Sequence, residues 1–327
     1  MPHAEEPLAG AEVVVIGTTG RAAVWTFTAA RVVLAAALLH AVFAAGQSPL
    51  RIVATTTDLK SLAEAVGGSR VSVTAIVPPN VDAEDYQPKP QDVARLREAA
   101  LLLRVGADYD LWVDKLVAQT QRRELARGGE RHVDGSFGIS LLDVRGTQIG
   151  PSGGHAHGNG NPHYWLDPAN AEMITGVILE ALARVDAPNA KFYEAERMKF
   201  LQRLQTKLRE WEKTIAPAQG KPMIAYHSTW AYFARRFRLN FVATIEPRPG
   251  VPPSPAHLAE LLKIIQKHKV TIIVRQPQEP LKNAQFLAGK SGAKLLILAA
   301  GVGAVPQATD YIALFDYNIN ALAQALQ

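Results

Sequence analysis

The chain has 327 residues, no cysteine, a formal charge of +5, 48% hydrophobic residues and 20% charged ones. That length allows two lobes, each with its own core, and the composition is that of a globular protein. The absence of cysteine excludes disulfides, thiolate metal sites and a lipid-modified N-terminal cysteine, so a lipoprotein is not expected. The modest charge, with no Lys/Arg block interleaved with aromatics, argues against a nucleic-acid partner.

Residues 1–45 read as an export signal. Arg31 precedes the apolar run Val32-Val33-Leu34-Ala35-Ala36-Ala37-Leu38-Leu39, and Ala44-Ala45-Gly46 suits a signal peptidase. The run is shorter than the roughly 20 residues a bilayer span needs. A cleaved signal is the expectation and an uncleaved anchor the alternative. The mature chain is expected in the periplasm or otherwise outside the cytoplasm.

An N-terminal lobe is expected over 46–187. Strand patterns lie at 51–55, 71–77, 101–105 and 139–144, and helical ones at 90–99 and 110–120. Asp58 is placed to cap a helix carrying Leu59, Leu62, Ala63 and Val66, which Gly67-Gly68 closes. A connecting helix is expected within 188–216. Tyr193, Phe200, Leu201, Leu204, Leu208 and Trp211 recur there at helical spacing, with Pro188 before and Pro217 after. The stretch from Asn189 to Lys213 would form a rod of roughly 37 Å. The C-terminal lobe, 217–327, repeats the alternation. Its strands are expected at 222–226, 240–245, 270–275 and 294–299, and its helices at 228–237, 254–268, 283–290 and 310–326. Strand–helix alternation predicts an α/β fold of parallel sheets covered by helices.

Four scattered residues stand out as candidate metal ligands: Glu84, His163, His227 and Asp310. Imidazole and carboxylate are donors that zinc, manganese and iron accept. Each candidate lies beyond the carboxyl end of an expected strand, where open parallel sheets bind ligands, and each half supplies two. Duller roles exist for each. The histidines, flanked by Tyr164, Trp165, Tyr226 and Trp230, suit hydrogen-bonded core positions, and Asp310 suits the N-cap of the last helix. Glu246, beyond a strand near the cleft, suits orienting a ligand or loop. His257 and Glu260, one helical turn apart, fit a structural helix start better than a metal site.

Residues 50–327 resemble the zinc/manganese solute-binding proteins of ABC importers. The resemblance is carried by Ile52-Val53-Ala54-Thr55-Thr56, Tyr86-Gln87-Pro88, Pro90-Gln91-Asp92 and Pro162-His163-Tyr164-Trp165-Leu166-Asp167-Pro168. It continues in His227-Ser228-Thr229-Trp230-Ala231-Tyr232-Phe233, Ile245-Glu246-Pro247-Arg248-Pro249-Gly250, Pro253-Ser254-Pro255-Ala256-His257-Leu258-Ala259-Glu260 and Tyr317-Asn318. It implies two α/β lobes joined by one long helix, a metal ion between them, and an ABC permease as partner. It also implies that His163 and His227 are ligands. Two departures from the family pattern matter. Glu84, with Asp85 as a possible substitute, stands where the family has histidine, and Asp310 is offset by one place from the family's last aspartate.

The expected cargo is a divalent transition metal, zinc ahead of manganese. His155-Ala156-His157, in a glycine-rich loop, resembles the longer histidine-rich loops of zinc-binding members. Capture and delivery, with no bond chemistry, is the expected work, so the chain is not expected to be an enzyme. The alternatives are a secreted metallohydrolase using the same residues, with Glu84 or Asp85 as base, and a metal-stabilised surface adhesin. No His-Glu-x-x-His segment supports the first.

Overall fold

The computed structural model describes residues 48–84, 86–142, 160–248 and 250–326. The expected export signal, Asp85 and the His155/His157 pair lie outside the described residues.

The chain lays down β1 (Leu50–Ala54), α1 (Thr57–Gly67), β2 (Val71–Ala75), α2 (Pro90–Arg97), β3 (Leu101–Arg104), α3 (Trp112–Thr120) and β4 (His132–Asp134). These strands form a parallel sheet in the order β2-β1-β3-β4. All four residues of β3 are buried, as expected of a strand covered on both faces. Thr56, rather than Asp58, caps α1 by accepting from the Leu59 amide. Asp58 is buried in the first turn and accepts from the Val302 amide at 3.0 Å. The strand expected at 139–144 is not formed at 139–142, where Leu142 makes only an isolated bridge to Asn161. The fourth strand falls earlier, at β4, because the pairing row of β3 is taken by His132, Val133 and Asp134.

Next come α4 (Ala171–Val185) and α5 (Ala190–Ile215), the latter of 26 residues and thus about 39 Å long. After these follow β5 (Pro222–Ala225), α6 (Ala231–Phe237), β6 (Asn240–Thr244), α7 (Pro255–His268), β7 (Ile272–Arg275), α8 (Leu281–Ser291), β8 (Lys294–Ile297) and α9 (Tyr311–Ala325). The second sheet, also parallel, has the order β6-β5-β7-β8. Both sheets therefore reverse strand order after their first strand, and each offers a crevice there for a ligand.

The α5 stripe of Tyr193, Phe200, Leu201, Leu204, Trp211 and Ile215 is buried. It lies in one hydrophobic cluster with Ile52 and Leu102 of the first sheet and with Tyr311 and Phe315 of α9. A core running through both halves resists hinge motion, because opening it would expose apolar surface at about 25 cal/mol per Å². Directional bonds reinforce it. Trp165 Nε1 donates to the Ala300 carbonyl at 2.9 Å, and the Tyr311 amide donates to Ser61 Oγ at 3.0 Å. Arg236 grips both oxygens of Asp167 at 2.6 and 3.1 Å.

Candidate metal centre

Glu84 sits in the segment after β2, beyond a turn at 79–80, and this segment is anchored where Trp112 Nε1 donates to the Ala83 carbonyl at 2.7 Å. Glu84's own amide donates to Asp82 Oδ1 at 2.9 Å, turning its side chain's base within a local acidic loop.

His163 opens the single turn Tyr164–Leu166 and is 6% exposed. Behind it the chain makes three successive left-handed residues, Gly106 (φ 74°), Ala107 (φ 49°) and Asp108 (φ 62°). Each non-glycine there costs about 1–2 kcal/mol. Asp110 holds the turn by accepting from the Val105 and Gly106 amides at 2.7 and 3.2 Å, and Arg104 pairs with it at 3.1 Å. A Cβ on Gly106, at φ 74°, would lie 2.0 Å from Asp134 Oδ1, so a side chain there would be strained and would displace the Asp134 carboxylate. The turn delivers Tyr109 edge-on to the His163 ring, with centroids 5.5 Å apart, while Trp165 packs on the ring at 5.3 Å.

His227 lies two residues beyond the end of β5, after Tyr226. Its Nδ1 lies 2.7 Å from Glu246 Oε2, and Glu246 Oε1 accepts from the Gly250 amide at 3.1 Å. Glu246 thus joins the His227 ring to the loop at Gly250, the contacts that an orienting residue would make.

The three side chains converge. His163 and His227 have ring centroids 5.9 Å apart, and His163 Nε2 is 3.6 Å from Glu84 Oε1. One donor atom from each of Glu84, His163 and His227 lies within 4.8 Å of the others. Donors around a tetrahedral zinc at ~2.0–2.1 Å are roughly 3.4 Å apart. The Glu84–His163 spacing is therefore close to a bound geometry, and the widest pair needs a small inward movement.

Both imidazoles have their Nδ1 committed. Nδ1 of His227 faces a carboxylate, which can only accept, and Nδ1 of His163 faces the Asn161 side-chain oxygen at 3.0 Å. In the neutral ring each therefore carries its proton on Nδ1 and leaves the Nε2 lone pair for a cation. Burial lowers the pKa of His227, but the Glu246 hydrogen bond and the charges of Glu246, Glu84 and Glu279 outweigh it and raise the net value.

The cleft has a volume of about 300 Å³ and takes its walls from both halves, including Asp58, Glu84, His163, His227, Glu246 and Glu279. Such a lining attracts cations. Burial pushes the carboxyls of Asp58 and Glu279 up to about 7 each. Glu279 belongs to the turn after β7, beside the strand that carries His227, and accepts from the Gln276 amide at 2.6 Å and from its Nε2 at 3.0 Å. Sequence reading missed it, although its place beyond the strand expected at 270–275 obeys the rule that found His227.

Asp310 is corrected. It is exposed, lies outside the cleft lining, and caps α9 by accepting from the Ala313 amide at 2.8 Å. That bond satisfies an otherwise orphaned helix N–H, the duller of its two expected roles. The stretch between β8 and α9 instead brings Ala300, Gly301, Val302 and Ala304 to the cleft, none with a donor side chain. His257 and Glu260 form no metal cluster among the described residues. His257 Nε2 approaches the Thr244 carbonyl at 3.3 Å, and Glu260 pairs with Lys263.

Two parallel-sheet lobes, a continuous core and a cleft with two imidazoles define a metal-binding protein of the two-lobed kind. The chain belongs to the ZnuA family, described as zinc-uptake complex component A, periplasmic, whose model matches residues 52–325. It is 25% identical over 287 residues to the high-affinity zinc uptake system protein ZnuA of Bacillus subtilis (strain 168), covering 85% of this chain and 88% of that protein. It is 24% identical over 280 residues to the iron-binding protein YfeA of Yersinia pestis, covering 84% and 85%. A crystal structure of ZnuA superposes with a TM-score of 0.72 at 25% identity, over 86% of this chain and all of that one. The family consists of metal-binding transport components of ABC uptake systems and not of enzymes.

Proposed function

We propose that this chain captures a divalent transition metal, zinc ahead of manganese, outside the cytoplasm and delivers it to an ABC permease. The carrying observation is the convergence of Glu84, His163 and His227 in one acidic cleft, with both Nε2 lone pairs directed away from their partners. In this reading residues 1–45 are an export signal, 46–187 and 217–327 are the lobes, and 188–216 join them. Among the described residues no helix is long and apolar enough to cross a membrane. The relatives named for zinc and for iron support the cargo class, and two imidazoles with a carboxylate are a donor set that zinc, iron and manganese accept.

Competition titration of the purified mature chain against a chromogenic chelator tests the reading. One zinc ion per chain is expected, bound more tightly than manganese at the same pH. His163→Ala and His227→Ala should each weaken zinc binding by at least ~100-fold, and Glu84→Ala by ~10-fold or more. Tighter manganese binding would overturn the choice of zinc, and unchanged affinity in both histidine variants would overturn the site.

A further inference from the structure

One side chain touches the segments of both imidazoles. Asn161 Oδ1 accepts from the His163 amide and from His163 Nδ1, each at 3.0 Å, while Asn161 Nδ2 donates to the carbonyl of Ser228 at 3.4 Å. Ser228 is the residue after His227. The backbone of Asn161 is pinned as well. Its amide donates to the Leu142 carbonyl at 2.7 Å, and its carbonyl accepts from the Tyr232 hydroxyl at 2.8 Å. At 6% exposure, solvent has little access to compete for these bonds.

These bonds have a logical order. A backbone amide can only donate, so the Asn161 atom facing the His163 amide is oxygen, and the side-chain amide has one possible orientation. That same oxygen faces His163 Nδ1, which must then carry the ring proton. The Nε2 atom, the one 3.6 Å from Glu84, is left with its lone pair. With the oxygen so placed, Nδ2 necessarily points to the Ser228 carbonyl in the other half of the molecule.

We infer that Asn161 is the positioning residue of the metal centre: it selects the metal-binding tautomer of His163 and, through Ser228, sets the spacing of the two imidazoles across the cleft. The inference rests on the metal-binding reading above. It assigns the two histidines different supports. His227 is oriented by a carboxylate, Glu246, whereas His163 is oriented by a neutral amide that adds no charge to an already acidic cleft. Supports of this kind typically contribute 10–100-fold in metal affinity.

The test reads the tautomer without metal. In the metal-free chain at about pH 8, where a free imidazole is neutral, nitrogen–proton correlation spectra of the histidine rings should show His163 protonated on Nδ1. Asn161→Leu, which offers no acceptor, should shift His163 toward the Nε2-protonated form. Asn161→Asp, which retains an acceptor, should keep the Nδ1 form. Zinc affinity, by chelator competition, should fall 10–100-fold in Asn161→Leu. Asn161→Ala, which likewise offers no acceptor, carries the same two readings should the leucine variant fail to fold. The inference is overturned by a wild-type His163 protonated on Nε2, by a tautomer unchanged in the leucine and alanine variants, or by a changed tautomer with unaltered zinc affinity. Because the spectra need no metal, these failures are distinct from failure of the metal-binding reading, which would appear as no zinc bound by the wild-type chain.

Discussion

At the scale of single residues, the partner of each imidazole decides when it can hold a cation. The pKa of His227 is raised, so in the metal-free chain its protonated form contributes stability that is complete below the unfolded value of about 6.5 and lost as pH rises through the folded one. Metal affinity runs the opposite way, since the ion and the proton compete for the ring: it rises with pH through the same window and levels off above it. Glu246→Gln removes the charge that raises His227. Zinc affinity at high pH should fall roughly 10-fold or more, and its remaining pH dependence should move to lower pH. A pH profile identical to wild type would show that Glu246 does not act through His227. Asp310 supplies the opposite prediction. As a helix cap with no place in the cleft, Asp310→Ala should cost about 1 kcal/mol of stability, measured by denaturant unfolding, and leave zinc affinity within about twofold. A large loss of affinity would restore it to the site.

At the scale of elements, what was legible followed from periodicity. The strands at β1, β2, β3 and β5 to β8 fall within two residues of their expected starts, because each reads as a short apolar or alternating run with sharp ends. The long helix was legible because Tyr193, Phe200, Leu204 and Trp211 keep one face. Helix α4 was not, since Gly176 and the β-branched Ile174, Thr175, Val177 and Ile178 weaken its local signal and burial forms it instead. The expected strand at 139–144 failed for a related reason: an apolar run says that a segment is buried, not that a sheet edge is vacant. In the site, the structure brings together Glu84, His163 and His227, which their sequence settings singled out, while Asn161 was not singled out because its contacts are made only after folding. Trp211 shows how much α5 depends on such contacts. Its indole donates to Asp316 Oδ1 at 2.8 Å and its ring lies 5.3 Å from that of Phe315. Trp211→Ala should destabilise the chain by about 3–5 kcal/mol in denaturant unfolding. A loss below about 1 kcal/mol would mean that the α5–α9 contact does not hold the halves together.

At the scale of the molecule, two sheets with the same strand order share one hydrophobic cluster, with a second cluster against the second sheet, and an acidic cleft takes its walls from both halves. The candidate ligands stand on different halves, so a bound ion would complete a cross-link for which Asn161, Trp165 and Arg236 already supply contacts. Such a frame favours small inward shifts of side chains and loops over wide lobe closure. The most direct test is X-ray absorption spectroscopy of the zinc-loaded, purified chain at its zinc edge. The expected result is a single zinc environment containing two imidazoles, with oxygen ligands completing it. A spectrum showing one imidazole or none would contradict it.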